Sequence, residues 1–425
     1  MFSRNTIKHI KIRKKINDGN STNQRHGDVT LFFLNLREKK TSYITQDGAK
    51  IDILKKGKNM KVIIAAAGTA GHINPGLSIA NTIKKNDPTA QIIFVGTKRG
   101  LENDLVPRAG YELKTIEAYG LTLKSIIKVF QMINGYRQAK KVIEEFKPDI
   151  VIGTGGYICG PVLTEASKMN IPTMLHESNA FPGKAVKFLA KHTNTILVAF
   201  EDAKNRIEGA KKIVVTGTPT KINKLNLTET ERNNIIKNVG LNPQKPILLV
   251  FGGSQGAKTI NDSIIKIIKQ NKVKNYQMIW APGPKQYDII KSELKENNID
   301  VDNIENIKVF PYIYNMEEMM NIADLLICRS GAITVTEVAK LRKAAIFVPL
   351  PGVSQNHQEY NARVLADKGA AKIILNKDLE HTDLNQYIEK IILNKDIINK
   401  MEECSKGISL ENVEERIYKE IKELM

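Results

Sequence analysis

The sequence has little cysteine. Its three cysteines, Cys159, Cys328 and Cys404, lie far apart and form no CxxC pair. This distribution does not fit a disulfide framework and is typical of a reducing compartment such as the cytosol. Long apolar runs are missing too, since no stretch reaches the roughly 18 uninterrupted apolar residues of a membrane-spanning helix. We therefore expect a protein that does not span a membrane.

Two common nucleotide motifs are also missing. A dinucleotide-binding fingerprint needs G-x-G-x-x-G and an acidic residue after the second strand, but Ala66 replaces the first glycine and the run QIIFV is followed by Gly96 and Thr97. No glycine turn ends in the Gly-Lys-Ser/Thr of a Walker loop. NAD or FAD binding is thus disfavoured, and no motif indicates ATP hydrolysis.

Positive charge is unevenly distributed along the chain. The formal net charge is +19, and residues 1–59 hold 14 lysines and arginines against five acidic residues. We hypothesise that the functional protein begins near Met60 and that residues 1–59 are a basic, weakly ordered extension or are not made. The alternative is a basic arm that binds anionic lipid or nucleic acid. Because charge runs are usually only solvated, we expect no nucleic-acid partner.

Three glycine-rich turns each follow an apolar run that is typical of a buried parallel strand. They are AGTAGH (67–72), GTGGY (153–157) and GGSQGA (252–257). Such turns direct backbone N–H groups and helix N-termini toward one place, so they predict a site for an anionic ligand such as a diphosphate.

Strand-like and helix-like segments alternate from Met60 onward, and a second such series starts at KPILLVFGG (245–253). This pattern predicts an α/β protein with two Rossmann-like, doubly wound parallel-sheet domains that face each other across a cleft. The predicted domains cover 60–218 and 246–425, with a linker over 219–245 and final helices that return to the first domain. The glycine turns fall at the carboxyl ends of strands, where such sheets bind ligands.

Two segments of the second domain point to a nucleotide sugar. CRSGAITVTE (328–337) places a small-residue turn after an apolar strand and then starts a helix. The exposed N–H groups of that helix suit phosphates, while Glu337 suits the two hydroxyls of a ribose. HQEYNA (357–362) starts another helix, in which Gln358 offers a donor and an acceptor to sugar hydroxyls.

Six motifs together resemble the MurG family over residues 60–425. They are GTAGHINPG, GTGGY, HESNA, GGSQGA, CRSGAITVTE and HQEYNA, in the family's order and approximate spacing. The resemblance implies the GT-B fold and an inverting transfer of N-acetylglucosamine from UDP-GlcNAc. The implied acceptor is the C4 hydroxyl of undecaprenyl-diphospho-N-acetylmuramoyl-pentapeptide, so that lipid I becomes lipid II in peptidoglycan synthesis. It also implies a peripheral protein at the cytoplasmic face of the plasma membrane.

The resemblance further implies a set of substrate-binding residues. In it Ser254 binds phosphate, the Ile313 backbone reads uracil, Glu337 holds ribose and Gln358 reads the sugar. The full set is Thr69, Ala70, Gly71, Asn179, Lys221, Ser254, Ile313, Ala332, Ile333, Thr334, Val335, Thr336, Glu337 and Gln358.

Two segments depart from the family's pattern. Ala67 and Ala70 stand where glycines are common, which requires negative φ at both. Lys221 stands where an arginine often contacts a donor phosphate, and it keeps the charge without the planar fork.

The transfer needs a general base, and His72 is our candidate because a helix N-terminus lowers the pKa of a histidine and keeps it neutral. Glu177 and His176 are the reserve candidates. The alternatives are that His72 only caps its helix and that Glu177 only anchors a loop. We expect no tightly bound metal or cofactor, with Mg²⁺ stimulating only by screening phosphate charge.

The segment LTLKSIIKVFQMINGY (121–136) combines an apolar stripe with lysines. This composition predicts contact with an anionic membrane surface. The alternative is an ordinary amphipathic helix that faces the core.

Three other functions remain open at the level of sequence. They are a UDP-N-acetylglucosamine 2-epimerase, a glycolipid synthase that acts on diacylglycerol, and a nucleotide sensor without catalytic activity.

Overall fold

The computed structural model describes residues 40–44, 50–54, 59–118, 126–253 and 255–425, with the backbone alone for 40–44, 50–54, 126–131 and 354. Its contacts divide the chain into two compact units, Met1–Met60 and Lys61–Met425. In the first unit, β1 (Lys40–Ile44) and β2 (Lys50–Leu54) pair as an antiparallel hairpin.

The first half of the second unit, here called the N-lobe (61–215), is built on a parallel sheet of seven strands. The strands are β3 (Lys61–Ala66), β4 (Gln91–Gly96), β5 (Glu112–Thr115), β6 (Ile150–Gly155), β7 (Thr173–Glu177), β8 (Thr195–Val198) and β9 (Ile213–Val215). The helices are α1 (Ala70–Asn86), α2 (Glu102–Arg108), α3 (Ile126–Phe146), α4 (Cys159–Lys168), α5 (Lys184–Leu189) and α6 (Glu201–Lys204). The strand order is β5-β4-β3-β6-β7-β8-β9, so the winding direction reverses between β3 and β6.

The second half, here called the C-lobe (222–404), repeats the design with a parallel sheet of six strands. The strands are β10 (Ile247–Phe251), β11 (Gln277–Ala281), β12 (Ile307–Val309), β13 (Leu325–Cys328), β14 (Ala344–Phe347) and β15 (Ala371–Ile373). The order is β12-β11-β10-β13-β14-β15, with the reversal between β10 and β13.

Six helices alternate with these strands, and three further helices follow the last strand. They are α7 (Glu229–Asn238), α8 (Lys258–Lys269), α9 (Pro284–Glu296), α10 (Met316–Ile322), α11 (Ala332–Leu341), α12 (His357–Ala366), α13 (Leu384–Ile392), α14 (Lys395–Cys404) and finally α15 (Val413–Leu424). The predicted pair of doubly wound parallel-sheet domains is confirmed.

Central strands are apolar along their whole length because helices cover both faces of each sheet. Every residue of β10 is buried, and so are Val62 to Ala66 of β3. The apolar core is continuous between the lobes, since Ala180 and Phe200 of the N-lobe pack in the same cluster as Ile313 and Val335 of the C-lobe. This shared core fixes which strand ends face each other.

The last helix, α15, returns to the N-lobe and packs against α1. Ile417 and Ile421 are buried there, while Lys212 of the N-lobe donates to Glu420 at 2.6 Å and to Glu423 at 3.2 Å. The chain therefore passes between the lobes twice, once before α7 and once before α15. The predicted domain limits at 218 and 246 stay predictions.

Candidate active site

Two glycine turns of the N-lobe meet at the carboxyl ends of β3 and β6, which are neighbouring strands. Gly156 of the second turn has a φ of +84°, and a Cβ atom there would lie 2.5 Å from the carbonyl oxygen of Ala67 in the first turn. Only glycine permits this approach. Ala67 and Ala70 do not have positive φ, so their methyl groups are compatible with the turn.

Helix α1 starts inside the first glycine turn. Thr69 is its N-cap residue, and the Thr69 carbonyl accepts from the backbone N–H of His72 at 3.0 Å and of Ile73 at 3.2 Å. The N–H groups of Ala70 and Gly71 precede these bonds and have no partner within the helix. The first turn of α1 therefore presents two backbone donors beside His72, as an anion site requires.

The imidazole of His72 lies directly against Gly155, where a Cβ atom would overlap its Nδ1. The backbone carbonyl of His72 accepts from Thr154 Oγ1 at 2.8 Å. Burial lowers the pKa of His72, His357 of α12 lowers it further, and a hydrogen bond between the imidazole and the Thr154 backbone opposes both effects. His72 is therefore neutral near neutral pH, as a general base must be.

Glu177 ends β7 and is buried. Its Oε1 accepts from the backbone N–H of Asn179 at 2.8 Å and from Asn179 Nδ2 at 2.9 Å, and its Oε2 accepts from the Gly183 N–H at 2.8 Å. Burial raises the pKa of Glu177, and these hydrogen bonds oppose the rise. Because both carboxylate oxygens hold the 178–183 loop, the geometry favours loop anchoring over a role as base.

His176, the other reserve candidate, is also buried. Its Nε2 lies 3.0 Å from the carbonyl oxygen of Gly217, and its Nδ1 lies 3.4 Å from Ser178 Oγ. Burial lowers the pKa of His176 to about 4. These contacts place its imidazole on the segment that leaves the N-lobe and give it a structural role.

Asn361 of α12 joins the two lobes, a role that the sequence analysis missed. Its Oδ1 accepts from the Ala180 N–H at 2.8 Å, while its Nδ2 donates to Asn179 Oδ1 at 3.1 Å and to the Ser330 carbonyl at 3.2 Å. The side chain is fully buried. In the sequence, the local indication of this role is that Asn361 lies three residues after Gln358 and therefore on the same face of the helix.

The N-terminus of α11 supplies the donors of the C-lobe. Its first helical hydrogen bond runs from the Val335 N–H to the Gly331 carbonyl at 3.0 Å. The N–H groups of Ala332, Ile333 and Thr334 precede that bond, so they have no partner within the helix and can bind an anion. The side chain of Val335 is buried in the core, so it supports the helix.

Thr336 and Glu337 follow in α11 with different surroundings. The Thr336 hydroxyl is buried and donates to the Ala332 carbonyl at 2.9 Å. Glu337 is half-buried, and burial raises its pKa to about 7, with Lys340 opposing the rise. A carboxyl group whose burial is so weakly compensated is typical of a ligand site.

Gln358 and Ile313 lie near the carboxyl ends of the C-lobe strands. Gln358 Oε1 accepts from the Leu350 N–H at 3.0 Å, and the Gln358 carbonyl accepts from Ser330 Oγ at 2.8 Å. Ile313 is buried in the shared core, whereas its neighbour Tyr312 is 45% exposed. Tyr314, on the other side of Ile313, is 92% exposed, so both tyrosine rings are accessible beside the predicted uracil site.

The remaining predicted phosphate ligands are the least defined. Ser254 lies outside the described residues, although its turn is described on either side, with positive φ at Gly253 and Gly256. Lys221 is exposed in the segment between the lobes, and its carbonyl accepts from Asn223 Nδ2 at 3.4 Å. The roles of both residues stay predictions.

Two paired domains with helix N-termini at the carboxyl ends of their strands suit a nucleotide-sugar ligand, and comparison with known families identifies the class of enzyme. Residues 62–198 match the glycosyltransferase family 28 N-terminal domain, and residues 247–417 match the glycosyltransferase family 28 C-terminal domain. The chain is thus a glycosyltransferase.

Individual relatives identify the family within this class of glycosyltransferases. A UDP-N-acetylglucosamine--N-acetylmuramyl-(pentapeptide) pyrophosphoryl-undecaprenol N-acetylglucosamine transferase from Thermoanaerobacter sp. is 43% identical over 369 residues, which cover 86% of this chain and 100% of the relative. The crystal structure of Acinetobacter baumannii MurG matches with a TM-score of 0.70 at 28% identity, covering 86% of this chain and 99% of that one. The chain therefore belongs to the MurG family, and the predicted resemblance and GT-B fold are confirmed.

A putative UDP-N-acetylglucosamine 2-epimerase from Listeria monocytogenes has the same fold, with a TM-score of 0.59. It is only 13% identical, over 86% of this chain and 96% of that one. The likeness therefore concerns the fold alone.

Proposed function

We propose that this chain transfers N-acetylglucosamine from UDP-GlcNAc to the C4 hydroxyl of undecaprenyl-diphospho-N-acetylmuramoyl-pentapeptide, with inversion at the anomeric carbon. The observation that carries the proposal is the cleft itself. Asn361 of α12 in the C-lobe accepts from the Ala180 N–H and donates to Asn179 of the N-lobe, the lobe that carries the neutral His72. His357 starts the helix of Gln358, the residue proposed to read the sugar. A base and a donor sugar would therefore meet between the lobes.

The proposed reaction is a single displacement. The acceptor oxygen forms a bond to the anomeric carbon on the face opposite to UDP, while the bond from that carbon to the diphosphate oxygen breaks and its electrons leave with UDP. His72 takes the proton of the hydroxyl, which a neutral imidazole can do. The unpaired N–H groups at the start of α11 stabilise the growing charge on the diphosphate.

The donor would lie on the C-lobe. Ala332, Ile333 and Thr334 would bind the diphosphate through their backbone N–H groups, with Val335 and Thr336 supporting the helix from its buried side. Glu337 would accept from the ribose hydroxyls. The remaining proposed contacts are the Ile313 backbone to uracil, Gln358 to the sugar, and Ser254 and Lys221 to phosphate.

The N-lobe would complete the site. The first turn of α1, with Thr69, Ala70 and Gly71, would contribute backbone donors next to His72. Asn179 is held by Glu177 and by Asn361. It would therefore fix the 178–183 loop against α12, the helix that carries Gln358. Glu177 would act through that loop.

No tightly bound metal enters this scheme. Among the described residues, no group of three or more His, Cys, Asp or Glu side chains is placed to hold a metal ion. Neutralisation of the diphosphate would then come from helix N-termini, with Mg²⁺ acting only by screening.

The acceptor carries a polyprenyl chain, so we propose that the enzyme works as a peripheral protein on the anionic cytoplasmic face of the plasma membrane. In the parts of the chain that the structure describes, no helix is both long enough and apolar enough to span a bilayer. An apolar groove of the N-lobe instead lies among α3, α4 and α5, lined by Met132, Tyr157 and Phe188 among others.

Three apolar residues of this region reach solvent: Ile133 is 42% exposed, Tyr157 65% and Phe188 43%. Arg137, Lys140 and Lys141 follow in α3, and Lys168 Nζ lies 5.7 Å from the centroid of the Tyr136 ring. Basic side chains of this kind suit anionic headgroups. The predicted membrane stripe is described only in part, because residues 121–125 and the Phe130 side chain lie outside the described residues. We propose no nucleic-acid partner for the basic residues 1–59.

The decisive experiment measures UDP release from UDP-GlcNAc with and without lipid-linked muramoyl-pentapeptide. We expect release only with that acceptor. Conversion of UDP-GlcNAc without acceptor would instead indicate a 2-epimerase, release with diacylglycerol a glycolipid synthase, and binding without any release a nucleotide sensor. Each of these three outcomes would contradict the proposal.

A further inference from the structure

Glu102, the first residue of α2, is an acidic side chain buried at 0% exposure in the N-lobe, and the proposed reaction gives it no role. Its Oε2 accepts from the backbone N–H of Gly68 at 2.9 Å. Its Oε1 accepts from the backbone N–H of Thr97 at 2.9 Å and from Thr97 Oγ1 at 2.7 Å. The carboxylate therefore joins the first glycine turn to the end of β4.

The surrounding chain leaves room for this carboxylate. A Cβ atom at Gly96 would lie 2.7 Å from Glu102 Cγ, and one at Gly100 would overlap Glu102 Oε2. Gly100 does not have positive φ, so backbone conformation does not require glycine there. Both glycines are explained by the space that the Glu102 side chain occupies.

The anchored turn is the one that carries the proposed base. Gly68 has a φ of +95°, its carbonyl accepts from the Leu101 N–H at 3.2 Å, and its N–H is held by Glu102. Thr69 follows as the N-cap of α1, and its carbonyl fixes the His72 N–H. From the other side, Gly155 and Thr154 hold His72 in place.

We propose that Glu102 is a positioning residue that fixes the first glycine turn from behind and thereby sets the place and burial of the His72 imidazole. It does not touch substrate. This inference rests on the proposed function of His72 as base. Burial alone would raise the pKa of Glu102, but the hydrogen bonds from Gly68 and Thr97 outweigh it and keep the carboxylate ionised.

The test compares Glu102→Gln with Asp104→Asn, a matched change at an exposed acid of the same helix that pairs with Arg108. Glutamine has the same shape as glutamate, but its NH₂ group cannot accept the hydrogen bond that one carboxylate oxygen of Glu102 accepts from the Gly68 or Thr97 N–H. The first readout is the titration of the His72 ring by NMR, with His72→Ala used for assignment. We expect the pKa of His72 to rise toward its ordinary value in Glu102→Gln, because a loosened turn buries the ring less. Asp104→Asn should leave it unchanged.

The second readout is turnover with lipid-linked acceptor. A base displaced by about 1 Å costs on the order of 100-fold, so kcat should fall by that order in Glu102→Gln. The equilibrium affinity for UDP, which depends on the C-lobe, should stay at the wild-type value. Unchanged His72 titration with wild-type kcat would overturn the proposal and leave Glu102 a structural brace.

Two features keep the test decisive. If Glu102→Gln does not fold, Thr97→Val removes the hydroxyl bond to Glu102, together with the long 3.4 Å bond that this hydroxyl accepts from the Arg99 N–H. It should shift the His72 titration in the same direction by less, with Thr97→Ser restoring it. No shift in Thr97→Val would then overturn the proposal. The NMR readout does not depend on enzymatic activity. It therefore tests the effect of Glu102 on His72 even if the wild-type protein releases no UDP with the proposed acceptor.

Discussion

At the scale of single residues, the buried Glu102 and the half-buried Glu337 show how hydrogen-bond partners distinguish a carboxylate that holds the protein chain from one that can bind a ligand. Glu102 receives three hydrogen bonds, and its pKa lies below the usual value because they outweigh burial. Burial raises the pKa of Glu337 to about 7, and only the charge of Lys340 opposes this rise. The protein itself thus supplies the hydrogen bonds that the Glu102 carboxylate needs, whereas the Glu337 carboxylate gains from any ligand that donates to it.

We predict that UDP affinity depends on the protonation of Glu337. Hydrogen bonds to a charged acceptor contribute about 1.5–3 kcal/mol, so losing the carboxylate should weaken binding roughly 10- to 100-fold. Because the pKa of Glu337 is about 7, wild-type affinity should fall as the pH drops below that value. Glu337→Gln should bind weakly at every pH. Calorimetric titration with UDP across this pH range checks both statements.

Glu296→Gln changes an exposed acid of α9. It is the control for the Glu337 variant and should keep the wild-type pH dependence of UDP affinity.

The protonation of Glu337 should affect folding stability in the opposite direction from UDP affinity as the pH changes. A carboxyl group with a raised folded-state pKa loses stabilisation as pH rises from its unfolded value through about 7. Glu337→Gln should therefore have a Tm no lower than wild type in alkaline buffer. A lower Tm there, or pH-dependent binding in the variant, would contradict the assignment.

We predict that His72→Ala lowers turnover by about 10²–10⁴-fold, because general-base help is worth that much. UDP binding should be nearly intact, since the α11 N-terminus and Glu337 lie on the other lobe. Steady-state UDP release with the lipid acceptor measures the first effect and equilibrium UDP binding the second. Turnover near the wild-type rate would remove His72 from the mechanism.

Residue roles were predictable from sequence where the signal is local. Glu337 and Gln358 stand in the first turns of helices that follow strands, so their motif context placed them at strand ends. Asn361 and Glu102 were not predictable in this way, because their partners lie 181 residues away at Ala180 and 34 residues away at Gly68. Only the folded chain shows that their side chains link separate turns.

At the scale of elements, hydrophobic periodicity predicted the alternation of strands and helices. The runs KVIIAA and ILLVF became β3 and β10, which are buried because helices cover both faces. Periodicity does not state which partner covers an apolar helix face. Helix α15 has an apolar face like those of other helices, and its packing against α1 of the N-lobe follows from tertiary structure.

We predict that the apolar groove of the N-lobe binds anionic membranes. The double variant Ile133→Asp, Phe188→Asp should lose co-sedimentation with liposomes that contain anionic lipid. Both side chains are more than two-fifths exposed, so the Tm should stay unchanged. The reason is that membrane affinity scales with the apolar area buried and with attraction to anionic headgroups.

Ile289→Asp is the matched control, because Ile289 is 67% exposed on α9 of the C-lobe. It should leave sedimentation at the wild-type level. A large loss of Tm in the N-lobe variant would instead support the alternative that this helix face belongs to the core. Equal loss of sedimentation in the control would remove the groove as the specific contact.

At the scale of the whole molecule, three kinds of contact join the described parts of the lobes in addition to the shared apolar core. Asn361 binds the 178–183 loop, and Phe181 of that loop stacks on Tyr360 of α12 at 4.6 Å between ring centroids. The Arg206 guanidinium lies 5.4 Å from the Phe181 ring and 5.1 Å from the Tyr360 ring. The third contact is α15, which carries the end of the C-lobe chain back to the N-lobe.

We predict that α15 couples the stability of the two lobes. Ile421 is fully buried against the N-lobe, and truncating a buried isoleucine to alanine costs about 2–5 kcal/mol. Ile421→Ala should therefore lower the Tm and increase hydrogen exchange in α1, although residue 421 is 335 or more positions beyond that helix. Lys419→Ala, whose side chain is 75% exposed, should change neither. If Ile421→Ala increased exchange only within α15, the helix would be a peripheral attachment and the two lobes would unfold independently of it. If exchange rises in α1 as well, the return of the chain is part of what holds the cleft in one geometry, because the first turn of α1 carries His72.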